Sequence, residues 1–157
     1  MAELTHLNEK GLPAMVDVGA KEITRRKAVA RSIVELPQAV YEQLTNGDIQ
    51  TKKGSVFQTA IIAGIMAAKK TGELIPLCHP LGLDNCSINI QIDDINLMID
   101  CTATVTSKTG VEMEALVGAT IAALTVYDMC KALSHDIVIK QVHLMEKTGG
   151  KNDFKRT

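Results

Sequence analysis

Two stretches of strict alternation constrain the fold most. An apolar side chain stands at every second position from residue 86 to residue 92, and again from residue 97 to residue 105. Successive side chains point to opposite faces in a strand, so each stretch predicts a β-strand with one buried face. The short connection at Asp93–Asn96 makes the two strands an antiparallel hairpin. Its apolar face has to pack against another layer, which the neighbouring segments must supply.

Two segments with helical spacing of apolar residues flank this hairpin. The first is residues 54–71, and Gly72 is placed to end that helix. The second is residues 111–133, a longer segment rich in Ala, Leu and Met. Both predicted helices can cover the apolar face of the hairpin.

The remaining predicted elements are shorter. Residues 26–35 favour a strand, although an amphipathic helix also fits. Residues 37–44 predict a short helix, because Pro37 suits a first helical turn and Asn46-Gly47 is a stop signal. A last strand follows at residues 137–144. The order β-α-α-β-β-α-β predicts an α+β fold, in which one antiparallel sheet carries helices on one face. This is the ferredoxin-like arrangement with one added helix.

The bulk composition favours one domain spanning residues 1–157, with flexible tails at about residues 1–15 and 149–157. A net charge of −1, two Tyr, two Phe and no Trp are not typical of a nucleic-acid-binding protein. The longest strongly apolar run, residues 60–68, is too short to span a membrane. No secretory signal and no CxxC pair is visible, so we expect a reduced, cytoplasmic protein.

The loop at residues 75–81, with the sequence IPLCHPL, carries the first candidate site residues. Its two prolines restrict the backbone and can hold the His79 imidazole in one place. A histidine that hydrogen-bonds a backbone carbonyl is the alternative interpretation. Cys78 and His79 do not predict a zinc site, because adjacent residues rarely point at one metal and no second ligand pair stands at finger spacing.

Charged residues near both ends of the predicted helix at 111–133 form a second group. Glu112 and Glu114 lie in its first turn, where acidic residues also complement the helix dipole. Asp128 and Lys131 lie on one face near its end, where a solvated surface pair is the alternative. Glu114 and Asp128 are about 21 Å apart along the axis, so one small substrate can contact both only where two subunits meet.

A third group is cationic and consists of Arg25, Arg26, Lys52, Lys53, Lys147 and Lys151. Lys53 precedes a predicted helix start, where backbone N–H groups and a lysine can bind an anion. The string TGGK at residues 148–151 lacks the upstream glycine and the Ser/Thr of a Walker A motif. A flexible, solvated tail is the alternative there.

Strings spread in one order over nearly the whole chain are together specific for one family. They are LTH near the start, MVDV at 15–18, KGSVF at 53–57, IPLCHPL at 75–81, GVEMEAL at 110–116, YDMCKA at 127–132 and EKTGGK at 146–151. The chain closely resembles the cyclic pyranopterin monophosphate synthases, the family of molybdenum cofactor biosynthesis protein C. The resemblance implies a lyase that converts 3′,8-cyclo-7,8-dihydro-GTP into cyclic pyranopterin monophosphate and pyrophosphate.

The resemblance also implies which residues act. The expected catalytic residues are Lys53, Lys131, Asp128 and Glu112. We expect the two lysines to be the central acid/base groups, since lysines and carboxylates can tune each other's pKa values toward neutrality. The expected substrate-binding residues are Asp17, Arg26, Cys78, His79, Met113, Glu114 and Lys147. Of these, Glu114 would orient the pterin, and Arg26, His79 and Lys147 would contact the triphosphate.

A hexamer built as a trimer of dimers, with sites at the dimer interfaces, is the assembly that the resemblance implies. It agrees with the spacing along the second helix. We expect no resident cofactor and no metal ligands, although Mg²⁺ could accompany the substrate phosphates. The chain departs from the family pattern only at flanking positions, such as Gly19 and Asn152.

Two other functions fit part of the sequence. A non-catalytic ferredoxin-like module that binds a small anionic regulator at a subunit interface would explain the fold and the basic residues. It would not explain why Glu112, Glu114, Asp128 and Lys131 occur together. A structural assembly protein is the third interpretation, in which replacing His79 changes only stability.

Overall fold

The computed structural model describes residues 5–157. Its elements are β1 (Thr24–Glu35), α1 (Gln38–Tyr41), β2 (Leu44–Thr45), β3 (Asp48–Thr51), β4 (Gly54–Ser55), α2 (Val56–Ala68), α3 (Thr71–Leu74), β5 (Asn85–Asp93), β6 (Asn96–Ser107), α4 (Glu112–Cys130), β7 (Val138–Thr148) and β8 (Phe154–Lys155). Leu4 of the LTH string and the first residues of the predicted N-terminal tail lie outside the described residues.

A five-stranded antiparallel sheet in the order β5-β6-β1-β7-β8 forms one layer of the fold. The helices α2 and α4 pack against one face of this sheet and against each other. The four long strands and these two helices follow the order β-α-β-β-α-β along the chain, which confirms the predicted ferredoxin-like α+β fold. The predicted hairpin is the β5–β6 pair, with Asp93 opposite Asn96 at its turn.

Small side chains bring the helices close to the sheet. Alternate residues of β1 and β6 are buried beneath the helices, and Cys101 is among those with no exposed surface. The two helices touch each other through Gly64 and Gly118. An ideal Cβ built on Gly64 would lie 2.7 Å from the Gly118 carbonyl oxygen, and one on Gly118 would lie 2.5 Å from Cys101 Sγ. Only glycine leaves room for the backbones at this crossing.

The helix α4 forms the centre of the core. Alanines between residues 115 and 123 pack against the sheet and α2 without exposed surface. By length and composition alone α4 could cross a membrane, but the core helix of a folded domain meets the same criterion. Its other face carries half-buried apolar residues and Leu124, whose surface is 47% exposed.

A second antiparallel sheet, β2-β3-β4, corrects the sequence prediction for residues 44–55. The helix predicted for residues 37–44 is limited to the single turn of α1. The dipeptide Asn46-Gly47, which we interpreted as a helix stop, connects β2 to β3 with φ of 53° and 77°. Positive φ at both central residues is typical of a two-residue hairpin turn, so the dipeptide reverses the chain between strands.

The small sheet is tied to the start of α2. The Asp48 carboxylate accepts hydrogen bonds from the backbone N–H groups of Ile49 and Phe57, at 2.7 and 3.0 Å. It also accepts one from the hydroxyl of Ser55. Ser55 in turn accepts the N–H of Gln58 at 3.0 Å and caps the helix. This network fixes the loop that carries Lys53.

Other boundaries differ modestly from the predictions. The first strand is confirmed as β1 and begins at Thr24, and the helix predicted for residues 54–71 is observed as α2 followed by the short α3. The last strand continues to Thr148, where β8 pairs with its end. In the N-terminal segment, Leu7 and Pro13 form an isolated bridge. The flexibility of the two predicted tails stays a prediction.

Candidate active site

Two adjoining cavities open beside the start of α4. The loop chamber, about 280 Å³, is lined by His6, Leu77, Cys78, His79, Leu81, Thr109, Gly110, Glu112, Met113 and Glu114. The cationic chamber, about 400 Å³, is lined by Thr5, Lys21, Arg26, Lys27, Thr109, Gly110, Val111, Glu112, Lys147, Thr148, Gly150, Lys151 and Asn152. The two chambers adjoin, because Thr109, Gly110 and Glu112 line both, and together we call them the groove.

His79 lies in the loop chamber and also holds the N-terminal segment. Its Nε2 lies 2.7 Å from the Val16 carbonyl oxygen, an acceptor, so Nε2 carries the proton and donates. In the sequence analysis, a histidine that hydrogen-bonds a backbone carbonyl was the alternative interpretation of His79, and the structure contains that bond. The predicted contact of His79 with the triphosphate stays a prediction, but His79 does not line the cationic chamber that holds Arg26 and Lys147.

Glu114 is the most buried charged residue of the loop chamber, with 4% of its surface exposed. Burial raises the pKa of Glu114, and the nearby charge of Glu112 raises it further. Burial and the charge of Glu114 likewise raise the pKa of the Cys78 thiol. This end of the groove therefore combines apolar walls with a carboxyl group that binds its proton more tightly than usual.

Residues 5–157 contain no group of three or more His, Cys, Asp or Glu side chains arranged to hold a metal ion. Cys78 and His79, which we did not expect to be zinc ligands, both line the loop chamber. Their neighbours there are the carboxylates Glu112 and Glu114 and apolar side chains.

The cationic chamber is formed where β1, β7 and the start of α4 meet. Arg26 donates from Nε to the Ser107 carbonyl oxygen at 3.1 Å, which orients its guanidinium group. Lys147 lies on β7 opposite Ala28 of β1 and donates to Glu112 at 3.1 Å. This ion pair links the predicted binding residue Lys147 to the predicted catalytic residue Glu112.

A tight glycine turn forms one wall of the cationic chamber. Gly149 has φ of 84°, and a Cβ at this position would collide with the Arg25 carbonyl oxygen. The Thr24 hydroxyl donates to the Gly149 carbonyl at 2.6 Å, and the Gly149 N–H donates to Asp153 at 3.1 Å. The GGK string thus packs against the start of β1, where its glycines permit a close approach that larger residues would prevent.

The helix-end pocket is a third cavity, of about 430 Å³, at the other end of α4. It is lined by Gln43, Gln50, Thr51, Lys52, Lys53, Asp128, Met129, Lys131, Ala132 and Leu133. Lys131 Nζ donates to Asp128 at 2.7 Å, and Lys53 Nζ lies 3.8 Å from the other carboxylate oxygen. Three of the four predicted catalytic residues therefore meet here, because the small sheet carries Lys53 to the end of α4.

The pKa values in this pocket shift opposite to the expected direction. The hydrogen bond and charge of Lys131, with the charge of Lys53, lower the pKa of Asp128. The hydrogen bond and charge of Asp128 raise the pKa of Lys131. An opposite charge favours the ionised form of each partner, so the pair moves away from neutrality. In the single subunit Asp128 is a carboxylate and Lys131 an ammonium group.

The predicted residues thus form two groups at opposite ends of one helix. The 19 residues of α4 span about 28 Å, so the groove and the helix-end pocket are separate sites within one subunit. Of the eleven residues, Asp17 lines none of these three cavities; it is exposed and accepts the Gly19 N–H at 2.8 Å.

The MoaC family model matches residues 15–150, which include both groups. The chain belongs to the MoaC family. A cyclic pyranopterin monophosphate synthase from Xanthomonas campestris pv. campestris (strain B100) is 53% identical over 98% of this chain and 93% of that protein. One from Lysinibacillus sphaericus (strain C3-41) is 49% identical over 97% of this chain and 96% of that protein. These findings confirm the resemblance deduced from the seven strings.

A longer relative contains the same region. The molybdenum cofactor biosynthesis bifunctional protein of Synechocystis sp. is 51% identical over 98% of this chain. The chain spans about 46% of that protein, so the similarity concerns one part of it.

The sequence analysis did not predict several residues that line the groove of this MoaC family chain. Lys21 and Lys27 line the cationic chamber, and His6 lines the loop chamber beside Glu114. His6 stood in the LTH string, which could have indicated it as a site residue. Lys21 and Lys27 follow no local pattern, and only the packing of β1 against the C-terminal turn reveals them.

Proposed function

We propose that the groove binds 3′,8-cyclo-7,8-dihydro-GTP and that the chain converts it into cyclic pyranopterin monophosphate and pyrophosphate. The chain is a lyase of molybdenum cofactor biosynthesis, as its family and its relatives at about half identity support. The observation that carries the assignment is the polarity of the groove. A buried carboxyl group with apolar walls lies at one end and a cluster of cations at the other.

This polarity orients the substrate. The triphosphate fits the cationic chamber, where Arg26 and Lys147 offer charge-assisted hydrogen bonds. The ring system fits the loop chamber between Cys78, Met113 and Glu114. A protonated Glu114 could donate to a ring nitrogen or carbonyl, and a deprotonated one could accept from a ring N–H. His79 would position the loop through its bond to Val16.

The helix-end pocket supplies the acid and the base. Lys131 holds a proton and Asp128 can take one, so the pair can move protons to and from ring atoms during rearrangement. Lys53 is 66% exposed in one subunit, so its ammonium group can reach a substrate that enters the pocket. Glu112 would orient Lys147 through their ion pair. A ribose-derived hydroxyl then attacks the α-phosphorus, loses its proton to the base, and pyrophosphate leaves.

One substrate can meet both groups only if two subunits combine their α4 helices. The outer face of α4 and its neighbours is apolar: Leu74, Ile75, Met113, Leu116, Val117, Thr120 and Ile121 line a shallow cavity there. Ile62 and Met66 of α2 are also 58% and 50% exposed. A two-fold contact with the α4 helices antiparallel would cover these side chains and bring each helix end to a partner's groove.

The remaining features of the proposal come from the family resemblance. The functional unit would be a hexamer, a trimer of such dimers, in the cytoplasm. It would need no resident cofactor, and Mg²⁺ could accompany the phosphates without a protein cage of ligands.

The direct test supplies the cyclised GTP precursor to the purified chain and measures the pterin product and pyrophosphate. We expect Lys53→Ala and Lys131→Ala each to lower kcat by about a hundredfold or more while the fold and the oligomer persist. Lys70→Ala, an exposed lysine at the end of α2, is the matched control and should keep full activity. Binding of the precursor without turnover by the unmodified chain would favour the non-catalytic module instead.

The shared site has its own test. Mixing Lys53→Ala chains with Glu114→Ala chains, each inactive alone, should restore activity, because some mixed interfaces contain one intact site. Full activity of a monomer at working concentration would rule out the two-subunit site.

A further inference from the structure

Residues of the N-terminal segment also line the groove, although no step of the proposed reaction uses them. Thr5 lines the cationic chamber, and His6 lines the loop chamber. Every other described residue of the loop chamber belongs either to the loop at residues 75–81 or to residues 109–114 at the start of α4. His6 therefore brings an imidazole into this chamber from a third part of the chain.

A compact loop at residues 6–14, which we call the N-terminal loop, carries His6. The Ala14 N–H donates to the His6 carbonyl oxygen at 2.9 Å and closes the loop. Inside it, the Asn8 N–H donates to the Leu12 carbonyl oxygen at 2.8 Å, and the Asn8 side chain accepts the Leu12 N–H at 3.0 Å. These bonds fix the backbone of His6 relative to that of Ala14.

His79 ties the N-terminal loop to the groove. Its Nε2 donates to the carbonyl oxygen of Val16, two residues after Ala14. Among the hydrogen bonds between described residues, it is the one nearest to the N-terminal loop that connects this segment to the body of the domain. Residues 5–13 are exposed, so burial contributes little to holding them in place. The position of His6 consequently depends on the hydrogen bond that His79 makes.

The His6 imidazole is free to bind a ligand in the loop chamber. Glu112 of this chamber is paired with Lys147, and His79 donates to Val16. Within the part of the chain that the structure describes, the His6 side chain takes part in no hydrogen bond and no ion pair. A neutral imidazole donates from one ring nitrogen and accepts at the other, so it can bind either an N–H group or a carbonyl oxygen of a planar heterocycle.

We propose that His6 is a further substrate-binding residue, whose imidazole hydrogen-bonds the polar edge of the substrate's ring system, and that His79 is the residue that positions it. The assignment rests on the proposed function and adds to it a contact at the ring end of the substrate. Because the contact is with the ring, His6 contributes to the binding of ligands that contain the ring and not to the binding of bare phosphates. His79 acts on the ring through the N-terminal loop, so its effect depends on His6.

Binding of two probes tests the contact of His6. The cyclised GTP precursor and inorganic tripolyphosphate are titrated calorimetrically into the Lys53→Ala oligomer, in which turnover is blocked, with and without His6→Ala. Loss of one hydrogen bond should weaken precursor binding about tenfold and change tripolyphosphate binding by less than about twofold. His6→Gln should restore part of the precursor binding, because its amide also donates and accepts.

The matched control is Glu9→Ala, an exposed residue of the same N-terminal loop that lines neither chamber of the groove. It should bind both probes normally. In turnover by the chain that retains Lys53, His6→Ala should raise the KM for the precursor about tenfold with a smaller change in kcat, because the ring contact exists before the rearrangement begins.

A double-variant cycle tests the positioning role of His79. His79→Ala should weaken precursor binding about as much as His6→Ala, and the double variant should bind no more weakly than either single variant, because each change removes the same contact. His79→Gln retains an N–H donor, so it should restore binding when His6 is present and have no effect in His6→Ala. Losses that add in the double variant would mean that His79 acts independently of His6, and the positioning role would be wrong.

The outcomes separate this inference from the proposed function. If His6→Ala binds the precursor within about twofold of its parent while the unmodified chain forms product, the ring contact is wrong and the synthase function stands. If His6→Ala selectively loses precursor binding but the unmodified chain forms no product, the ring contact stands and the synthase function fails. Equal weakening of tripolyphosphate binding, or the same loss in Glu9→Ala, would assign the effect to the N-terminal loop as a whole and overturn the inference.

Discussion

The crossing of α2 and α4 offers a sharp test, because two opposing effects of known size meet at Gly118. Alanine at an interior helical position is favoured over glycine by about 1 kcal/mol. At Gly118, however, the added methyl group would lie 2.5 Å from Cys101 Sγ and 3.3 Å from the Gly64 carbonyl oxygen. An ordinary contact with sulfur needs about 1 Å more, so α4 or the sheet must move.

Overpacking of a rigid core costs about 1–3 kcal/mol, which outweighs the gain in helix propensity. We expect Gly118→Ala to lower the free energy of unfolding by up to about 2 kcal/mol. In a chain of this length that loss corresponds to a decrease in Tm of up to about 8 °C. Because α4 carries residues of the proposed site at both ends, a displacement of about 1 Å should also lower kcat by up to about a hundredfold.

Urea denaturation and turnover, measured on Gly118→Ala, Cys101→Ala and the double variant, give the assay. Removing the sulfur makes room for the new methyl group, so the double variant should be more stable than the sum of the single effects by about 1 kcal/mol or more. The reasoning is refuted if Gly118→Ala is more stable than the parent and fully active. Helix propensity alone would then govern the position, and the close approach to Cys101 would be unimportant.

Two further predictions concern the groove. Burial raises the pKa of Glu114, so the folded chain holds that proton to higher pH than the unfolded chain, and stability falls as pH rises between the two values. Glu114→Gln should therefore be more stable than the parent at about pH 8 and equally stable near pH 4, as urea midpoints across this range would reveal. A lower urea midpoint for Glu114→Gln than for the parent at pH 8 would contradict this prediction. Gly149→Ala should lose about 1–3 kcal/mol of stability through its positive φ and its collision with Arg25. Gly150→Ala, whose Cβ meets only the end of the Arg26 side chain, is the milder control; equal stability of the two variants would exclude the expected strain.

The long elements of the fold followed from local pattern. Alternation at residues 86–105 predicted both strands of the β5–β6 pair and their turn, because a half-buried strand needs an apolar residue at every second position. Local pattern did not predict the small sheet β2-β3-β4. Asn46-Gly47 is both a helix stop and a hairpin turn, and the choice depends on whether Asp48 and its neighbours find partners in α2.

The site was less predictable than the fold. The strings predicted Lys53, Asp128 and Lys131 as site residues one by one. The helical spacing placed Glu112 and Glu114 far from Asp128 and Lys131. Neither pattern could indicate that Lys147 binds Glu112, or that His79 is bonded to Val16. Each of these contacts joins residues far apart in sequence, so no local sequence pattern can predict it.

The sequence by itself determined the α+β class and the separation of the charged groups along α4, because the spacing of neighbouring residues fixes which side of a strand or helix they occupy. It also determined the family, through the resemblance of strings spread along the chain. Tertiary structure alone decided which cations share a chamber, which carboxyl group is buried, and how closely α4 approaches the sheet. These depend on packing between distant segments, where glycines at the crossing and at the C-terminal turn let backbones approach within a distance that any side chain would prevent.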